Sequence, residues 1–235
     1  MKKELPKIII MVVIMALVGL VIYQSVSKNQ DFVYEEHLDD VVFALDGKEY
    51  QYRDLAFYIA WQEEQVELVA MVYNPDSTKD YWNVHLPSGF VQTIAKKSVL
   101  DMAIHDALMY KLATEQGFRE LDEKELYDLQ GSIDDFWMDL LDGQEEVLLA
   151  CTTKEAVDEL IYKKAIAEKY QDYLAKSNNH AYVYYDIEGD GYKDILKKHK
   201  LKVKKKLWEQ LILGDITLEH DHVSYINGLE GKKDK

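Results

Sequence analysis

Residues 91–126 read VQTIAKKSVLDMAIHDALMYKLATEQGFRELDEKEL, and this stretch decides the fold. Its apolar side chains recur at helical spacing on two opposite sides of a helical wheel. One side carries Val91, Ala95, Met102, Met109 and Ala113, and the other carries Leu100, Ile104, Ala107 and Leu108. Because a helix that is apolar on nearly all sides must be enclosed by other elements, we predict a long, buried central helix here.

Capping residues mark the end of this helix and the start of the next one. Gly117 lies where a C-terminal cap is expected, since glycine adopts the left-handed conformation at little steric cost. Asp122 precedes Glu125 by three residues, which is a variant of the capping box that satisfies the first free N–H groups of a helix. The sequence therefore predicts a helix, a short turn and a second helix that begins at about residue 123.

The preceding part of the chain predicts a hairpin followed by an aromatic-rich helix. A strand is expected at Val41–Leu45, then a tight turn at residues 46–48, which read Asp-Gly-Lys, and a second extended piece at residues 49–52. Residues 55–73 predict a helix that ends before Pro75. Residues 74–90 predict an aromatic-rich loop, which either plugs the core from outside or forms a binding edge.

Two further helices and a strand are predicted downstream. Residues 123–141 have the spacing of an amphipathic helix, and Thr152, three residues before Glu155, predicts the cap of another helix that ends near residue 176. A short helix at residues 192–200 is followed by an alternating strand pattern at residues 201–204 and a last apolar element at residues 208–218. We expect the strand at 201–204 to pair with Val41–Leu45, because a lone short strand is not stable.

The central stretch and its flanks resemble the N-terminal chaperone domain of the SurA and PrsA families of exported folding factors. These families place a hydrophobic residue after the helix-ending glycine and then a capped helix start, here Ala113, Gly117, Phe118, Asp122 and Glu125. They also open with a strand, a turn of the Asp-Gly-Lys type and an aromatic-rich helix. The resemblance implies a mainly α fold of four to five helices, with a two- or three-stranded β element that pairs N- and C-terminal segments.

The resemblance also implies transient binding of unfolded or newly exported polypeptides, without catalysis. Larger members carry an inserted parvulin-type prolyl isomerase domain, but only residues 180–191 separate the fourth predicted helix from the next helical piece. That interval has no room for such a domain. Two alternatives remain: a non-catalytic scaffold subunit of an envelope complex, and a divergent prolyl isomerase.

The first 27 residues predict a membrane anchor or a signal peptide. Lys2, Lys3 and Lys7 precede an uninterrupted apolar run at residues 8–23, and by the positive-inside rule the bulk of the chain is then placed outside the cytoplasm. The candidate membrane contacts are Ile8, Val12, Leu17, Leu20 and Tyr23. Cleavage after Ser27 would instead release a secreted protein. Residues 28–40 are expected to be an acidic tether, residues 41–218 the domain, and residues 219–235 a C-terminal tail.

Composition argues against several function classes. The formal net charge is −15, so nucleic acid is not an expected partner. Cys151 is the only cysteine, which excludes an intrachain disulfide and a multi-thiolate metal site. The acidic run Asp186, Glu188 and Asp190 would need a glutamate twelve positions after its start to be a calcium loop, but residue 197 is a lysine. His220 and His222 lack a third ligand nearby, so no metal or cofactor is predicted.

Six aromatic residues around the first long helix are the candidate client-binding residues. They are Phe57, Tyr58, Trp61, Tyr73, Tyr81 and Trp82. A protein that binds unfolded chains needs apolar area that stays accessible after folding, and aromatic rings supply much area per residue. We expect about half of these rings to belong to the core, and Trp61 and Trp82 to remain partly exposed.

Overall fold

The computed structural model describes residues 32–218, which are mainly helical with two small antiparallel sheets. The strands are β1 Val41–Leu45, β2 Lys48–Gln51, β3 His85–Leu86, β4 Gly89–Phe90 and β5 Leu201–Val203. The helices are α1 Tyr52–Tyr73, α2 Lys79–Trp82, α3 Val91–Glu115, α4 Glu123–Asp139, α5 Gln144–Cys151, α6 Lys154–Ser177, α7 Asp190–Leu196 and α8 Lys205–Trp208. Short 3₁₀ turns lie at Tyr34–His37 and Tyr182–Tyr185. The predicted fold class, mainly α with a small β element, is confirmed.

The larger sheet joins the two ends of the described chain. β1 is the central strand and pairs antiparallel with β2 and β5, with Phe43 opposite Val203 and Leu45 opposite Leu201. The predicted pairing of Val41–Leu45 with the later strand is therefore confirmed. Residues 46 and 47 form the two-residue turn between β1 and β2, and both have positive φ angles, as an Asp-Gly hairpin requires.

The Asp46 carboxylate fixes this turn to the strand on the other side. It accepts hydrogen bonds from the Lys200 backbone N–H at 2.8 Å and from His199 Nδ1 at 2.6 Å, and it pairs with Lys111 Nζ at 3.0 Å. These donors hold the pKa of Asp46 well below its ordinary value. A single side chain thus connects the hairpin, β5 and the central helix.

The central helix α3 ends and α4 begins as the sequence predicts. Phe118 N–H donates to Ala113 O at 2.9 Å and Gly117 N–H donates to Thr114 O at 3.2 Å, with Gly117 at φ +88°, which is a Schellman cap. Asp122 and Glu125 exchange the two hydrogen bonds of a capping box at 2.7 and 2.9 Å. The core lies where α3 packs against α1 and α6 beside the sheet. Its fully buried side chains include Phe43, Leu55, Ile59, Leu108, Met109 and Ile166.

Several element boundaries differ from the predictions. α1 begins at Tyr52 rather than residue 55, because the Asp54 carboxylate accepts the Gln51 N–H at 2.7 Å and caps an earlier turn. The predicted loop 74–90 contains α2 and the β3–β4 hairpin. Thr153, not Thr152, caps α6 by accepting the Ala156 N–H.

Three further boundaries in the second half of the chain also differ. α4 ends at Asp139, two residues before its predicted end. α5 was not predicted, and it follows Gly143, whose left-handed backbone starts a new helix instead of only ending α4. α7 covers Asp190–Leu196 rather than residues 192–200.

The predicted last apolar element, residues 208–218, belongs to a segment that crosses the helices. We call this segment the strap and define it as residues 205–218. Beyond α8 its backbone is irregular, and side chains of α3 satisfy its carbonyl groups. Gln92 Nε2 donates to Leu213 O at 3.1 Å, and Lys96 Nζ donates to Glu209 O and Leu211 O, both at 3.1 Å. The strap is therefore held by polar contacts as well as by its buried Trp208, Leu211 and Leu213.

Candidate functional site

Helix α1 has two adjacent faces, about 100° apart around its axis, with different surroundings. At 3.6 residues per turn, Ala60, Glu63 and Glu67 share one face, whereas Phe57, Trp61 and Glu64 lie toward the other. We call the first the strap face, because it contacts residues 214–217 of the strap. We call the second the cleft face, because it lines a cleft between helices.

The strap face is closed by a buried polar network. The Glu63 side chain is fully buried and accepts four hydrogen bonds, from the backbone N–H groups of Gly214, Ile216 and Thr217 and from Thr217 Oγ1, at 2.5 to 3.1 Å. Burial raises the pKa of Glu63, and the four donors oppose that rise. Gln144 extends the network, since its Nε2 donates to Ala60 O at 2.8 Å and to Thr217 Oγ1 at 2.9 Å.

The cleft face borders an open cleft of about 460 Å³ among α1, α3, α4, α6 and residues 182–187. Its apolar lining comprises Phe57, Trp61, Met102, Phe136, Leu140, Ile161 and Ile187. The rings of Phe57 and Phe136 pack with centroids 4.8 Å apart and form the floor. Trp61 is 38% exposed at the rim, so the cleft presents aromatic area to solvent.

Tyr58 and Asp106 form the wall between this cleft and a second one. Tyr58 OH donates to Asp106 Oδ2 at 3.0 Å, and the other carboxylate oxygen lies 3.0 Å from His105 Nδ1. His105 Nε2 lies 3.1 Å from Tyr185 O. Burial, followed by the Asp106 charge, raises the pKa of Tyr58, which keeps its hydroxyl protonated as a donor. Both oxygens of Asp106 are thus engaged within the wall.

The second cleft, of about 250 Å³, has a mixed electrostatic character. Its lining includes the cations Lys48, Arg53, Lys163 and Lys164 and the carboxylates Asp54, Asp106 and Glu159. The Lys163 ammonium pairs with Glu159 at 2.7 Å, so part of this charge is neutralised locally.

The first cleft is strongly acidic by comparison, and we call it the acidic cleft. Its lining holds six carboxyl groups, those of Glu64, Asp106, Asp135, Asp139, Glu168 and Asp186, and one ammonium, that of Lys164. Lys164 forms an ion pair with Glu168. Within residues 32–218, Glu64, Asp135, Asp139 and Asp186 form no ion pair with a cation.

Glu64 is the most unusual of these residues, because it is only 5% exposed. Its hydrogen-bond partner is Gln65 Nε2, which donates to Oε2 at 2.7 Å. Burial raises the pKa of Glu64, and the Asp139 charge adds to that rise. A buried carboxylate without a cationic partner is energetically unfavourable, so it favours a positively charged ligand group.

The structure divides the six predicted client-binding residues among three places. Phe57, Tyr58 and Trp61 come together at the acidic cleft, with Phe57 and Tyr58 buried and Trp61 exposed. Tyr73 and Tyr81 lie at the other end of α1, with ring centroids 5.1 Å apart. The expectation that about half of the rings belong to the core is confirmed, since Phe57, Tyr58 and Trp82 are buried.

The expected exposure of Trp82 is wrong. Trp82 is 3% exposed, and its Nε1 donates to Glu67 Oε2 at 3.1 Å on the strap face. The strap crosses this ring at Gly214, where an added Cβ would lie 2.6 Å from Trp82 Cδ2. Gly214 also has a φ of +96°, so the close approach needs glycine for two reasons.

The sequence analysis missed most of the acidic cleft. The sequence placed Phe136 and Leu140 only within an amphipathic helix, Met102 only on the central helix, and Ile161 only within the helix that ends near residue 176. Asp186 was considered only as the start of a calcium loop. The other acids were not singled out, because 43 Asp and Glu residues make any acidic side chain appear to be ordinary solvated surface. A usable signal was the acidic repeat at Asp135 and Asp139, one turn apart and flanking Phe136.

The other candidate sites are placed as follows. Cys151 is buried, which raises the pKa of its thiol to about 11. Asp186 accepts the Ile187 N–H, and Glu188 pairs with Lys97 and Lys193. No group of three His, Cys, Asp or Glu residues within residues 32–218 could hold a metal ion. The His220–His222 segment and the rest of the predicted tail lie outside the described residues.

The predicted membrane segment, with Ile8, Val12, Leu17, Leu20, Tyr23 and the cleavage site after Ser27, also lies outside the described residues. Between residues 32 and 218, none of the helices combines the length and apolar character needed to cross a membrane.

Comparisons of the chain with protein-family models, with curated proteins and with solved structures give no match in any of the three.

Proposed function

We propose that this protein is a chaperone-like factor that transiently binds unfolded or newly exported polypeptides outside the cytoplasm, held at the membrane by its N-terminal segment. The observation that carries the proposal is the acidic cleft, with its apolar floor and exposed Trp61. The resemblance of the central stretch to the SurA and PrsA chaperone domains favours the same function.

The size and composition of the cleft suit a short extended segment. Pockets for small ligands usually measure about 300–1,000 Å³, so a cleft in this range accepts a few side chains and not a folded domain. Unfolded chains present isolated apolar side chains that a native protein would bury. Phe57 and Phe136 supply a fixed floor for one of them, since aromatic rings lose little rotamer entropy on binding.

The proposal explains why the apolar lining of the acidic cleft remains accessible to solvent after folding. The strap face, with Glu63 and Trp82 buried, stabilises α1 from one side and leaves its other side available. The net charge of −15 also keeps the exposed rings soluble, because like-charged copies repel one another.

The test is suppression of aggregation of an unfolded protein by the full-length chain in lipid nanodiscs. We expect Trp61→Ala to weaken suppression severalfold with little change in melting temperature. The matched control is Tyr73→Ala, which removes an aromatic ring that is 61% exposed on the same helix but outside the cleft. Equal suppression by the wild type and Trp61→Ala would contradict the assignment to this cleft.

A second candidate function, a scaffold subunit with one fixed partner, is favoured by the apolar end of α1. Val69, Val72 and Tyr73 are all at least half exposed there. In that case Tyr73→Ala, and not Trp61→Ala, would impair binding, and the binding would be restricted to one partner instead of extending to unrelated unfolded chains.

A further inference from the structure

We propose that the acidic cleft selects apolar segments that carry a lysine or arginine side chain, and that Glu64 and Asp139 are the carboxylates that bind the cation. This inference rests on the proposed function, because it names the class of polypeptide segment that the same cleft takes. It concerns specificity, which the apolar floor alone does not provide.

The first step of the argument is the uneven distribution of charge in the cleft. Of its six carboxyl groups, Asp106 is engaged with Tyr58 and His105, and Glu168 is paired with Lys164. Glu64, Asp135, Asp139 and Asp186 are left without a cation among the described residues. Four uncompensated carboxylates therefore surround one apolar floor.

The second step is the position of Glu64 beside Asp139. Both carboxylates line the same cleft, Glu64 is almost fully buried, and their like charges repel. An incoming ammonium or guanidinium group reduces this repulsion and gives Glu64 the ionic partner that it lacks. An acidic segment would add to the repulsion, and a neutral segment would leave it unchanged.

The third step is that a single lysine or arginine side chain of a bound segment can contact both the apolar and the acidic parts of the cleft. The stems of lysine and arginine are aliphatic and pack along apolar surface while the charged end remains at a polar rim. Trp61 and Glu64 are both rim or wall residues of the cleft from neighbouring turns of α1. A cationic side chain can thus lie over the Trp61 ring, where a cation is also attracted to the π face.

Comparison with the second cleft shows that the excess of negative charge is confined to the acidic cleft and is not shared by the neighbouring cleft. The second cleft shares Phe57, Tyr58, Asp106 and Lys164 with the acidic cleft, but it also contains Lys48, Arg53 and Lys163. A cationic segment therefore has a reason to enter one cleft and not the other. The selection does not follow from the net charge of the protein alone.

The experiment uses three fluorescent peptides with the same apolar core, flanked by Lys, by Gln or by Glu. Their affinities for the full-length chain in nanodiscs of uncharged lipid are measured by anisotropy at low and high salt. We expect the Lys peptide to bind about tenfold more tightly than the Gln peptide, as close charge pairs at interfaces allow, and the Glu peptide to bind weakest. The advantage should shrink at high salt because rim charges are screened.

Two double variants locate the effect. Glu64→Gln with Asp139→Asn should remove the preference for Lys while the Gln peptide still binds. Glu145→Gln with Glu146→Gln changes the net charge equally at exposed positions outside the cleft, and it should keep the preference. If the first double variant does not fold, as judged by its melting transition, the single variants Glu64→Gln and Asp139→Asn replace it, and each should reduce the preference for Lys.

The possible results separate the two proposals. Equal binding of the three peptides to the wild type overturns the charge selection and leaves the chaperone function standing. A preference that survives loss of the cleft carboxylates, or that falls equally in the control, overturns the assignment to Glu64 and Asp139. Failure of all three peptides to bind overturns the proposed function and, with it, this inference.

Discussion

Glu63 and Glu64 are consecutive residues of α1, and both are buried, but they point into different surroundings. Glu63 faces the strap and accepts four hydrogen bonds from residues 214–217. Glu64 faces the acidic cleft, where Gln65 donates to it and the Asp139 carboxylate repels it. The contrast separates a carboxylate with four donors inside the chain from one that, as we propose, binds a cationic ligand group.

The tryptophans of the two faces repeat the contrast. Trp82 is 3% exposed and donates its N–H to Glu67, whereas Trp61 is 38% exposed at the rim of the cleft. The strap-face residues Glu63 and Trp82 thus have their polar groups hydrogen-bonded within the chain. The stability of the protein should therefore depend on the strap face, and its binding on the cleft face.

The largest expected difference is between the two tryptophans. Trp82→Ala should lower the free energy of unfolding by about 4 kcal/mol, because it leaves a cavity under the strap. Trp61→Ala should lower it by about 1 kcal/mol or less, as expected for a partly exposed side chain. Denaturant unfolding of both variants measures this, and similar losses would remove the distinction between the faces.

The two glutamates should differ next. In Glu63→Gln an amide NH₂ replaces an oxygen that accepts N–H or O–H donors, so we expect a loss of about 3 kcal/mol, typical of buried bonds to a charged group. Glu64→Gln removes a buried charge that has no ionic partner, so its stability should be unchanged or higher. The reverse order in thermal unfolding would mean that the strap does not depend on Glu63.

Local signals in the sequence predicted the fold well, and distant contacts explain what was missed. The Asp122–Glu125 capping box, the Gly117 cap and the Asp46–Gly47 turn depend on neighbouring residues, so their patterns were sufficient. α5 was not predicted, because it starts at Gln144, a polar residue that is buried in the fold. Its N–H groups donate to Ala60 O and Thr217 Oγ1, which lie far away in the sequence.

The candidate site also divides into residues that local sequence signals predicted and residues whose roles depend on distant contacts. The density of aromatic residues predicted Phe57 and Trp61, since both lie on one helix. The burial of Trp82 depends on Gly214, far along the chain, and no local pattern reports that contact. Likewise, the acidic cleft forms where α4 and α6 bring Asp139 and Glu168 into the lining that they share with Glu64.

A smaller effect is expected from the strap side of the Glu63 network. Thr217→Val removes the hydroxyl that donates to Glu63 and accepts from Gln144, and it should lower stability by about 2 kcal/mol because two buried partners lose a hydrogen bond. Thr217→Ser keeps the hydroxyl and serves as the control. Equal denaturation midpoints for the Val and Ser variants would show that the network contributes little.

The smallest expected effect is a pH dependence at Glu64. Burial and then the Asp139 charge raise the pKa of Glu64 above its ordinary value of 4.5. A carboxyl group with a raised folded-state pKa contributes stability that is full below the unfolded-state value and is lost as pH rises through the folded-state value. The wild type should therefore lose stability relative to Glu64→Gln from about pH 4.5 upward, where Glu64 ionises in the unfolded chain before it does so in the folded protein.

The measurement is the difference in melting temperature between Glu64→Gln and the wild type at pH values from 4 to 8. His105, Asp106, Asp135, Lys164, Glu168 and Asp186 also face the cleft, but they are present in both proteins and largely cancel in the difference. The difference should be near zero at the lowest pH, should rise and should then level off. In an Asp139→Asn background it should shrink, since one cause of the raised pKa is gone. A difference that is constant with pH would show that Glu64 is solvated like a surface carboxylate, and the cleft face would then lose its electrostatic distinction from the rest of α1.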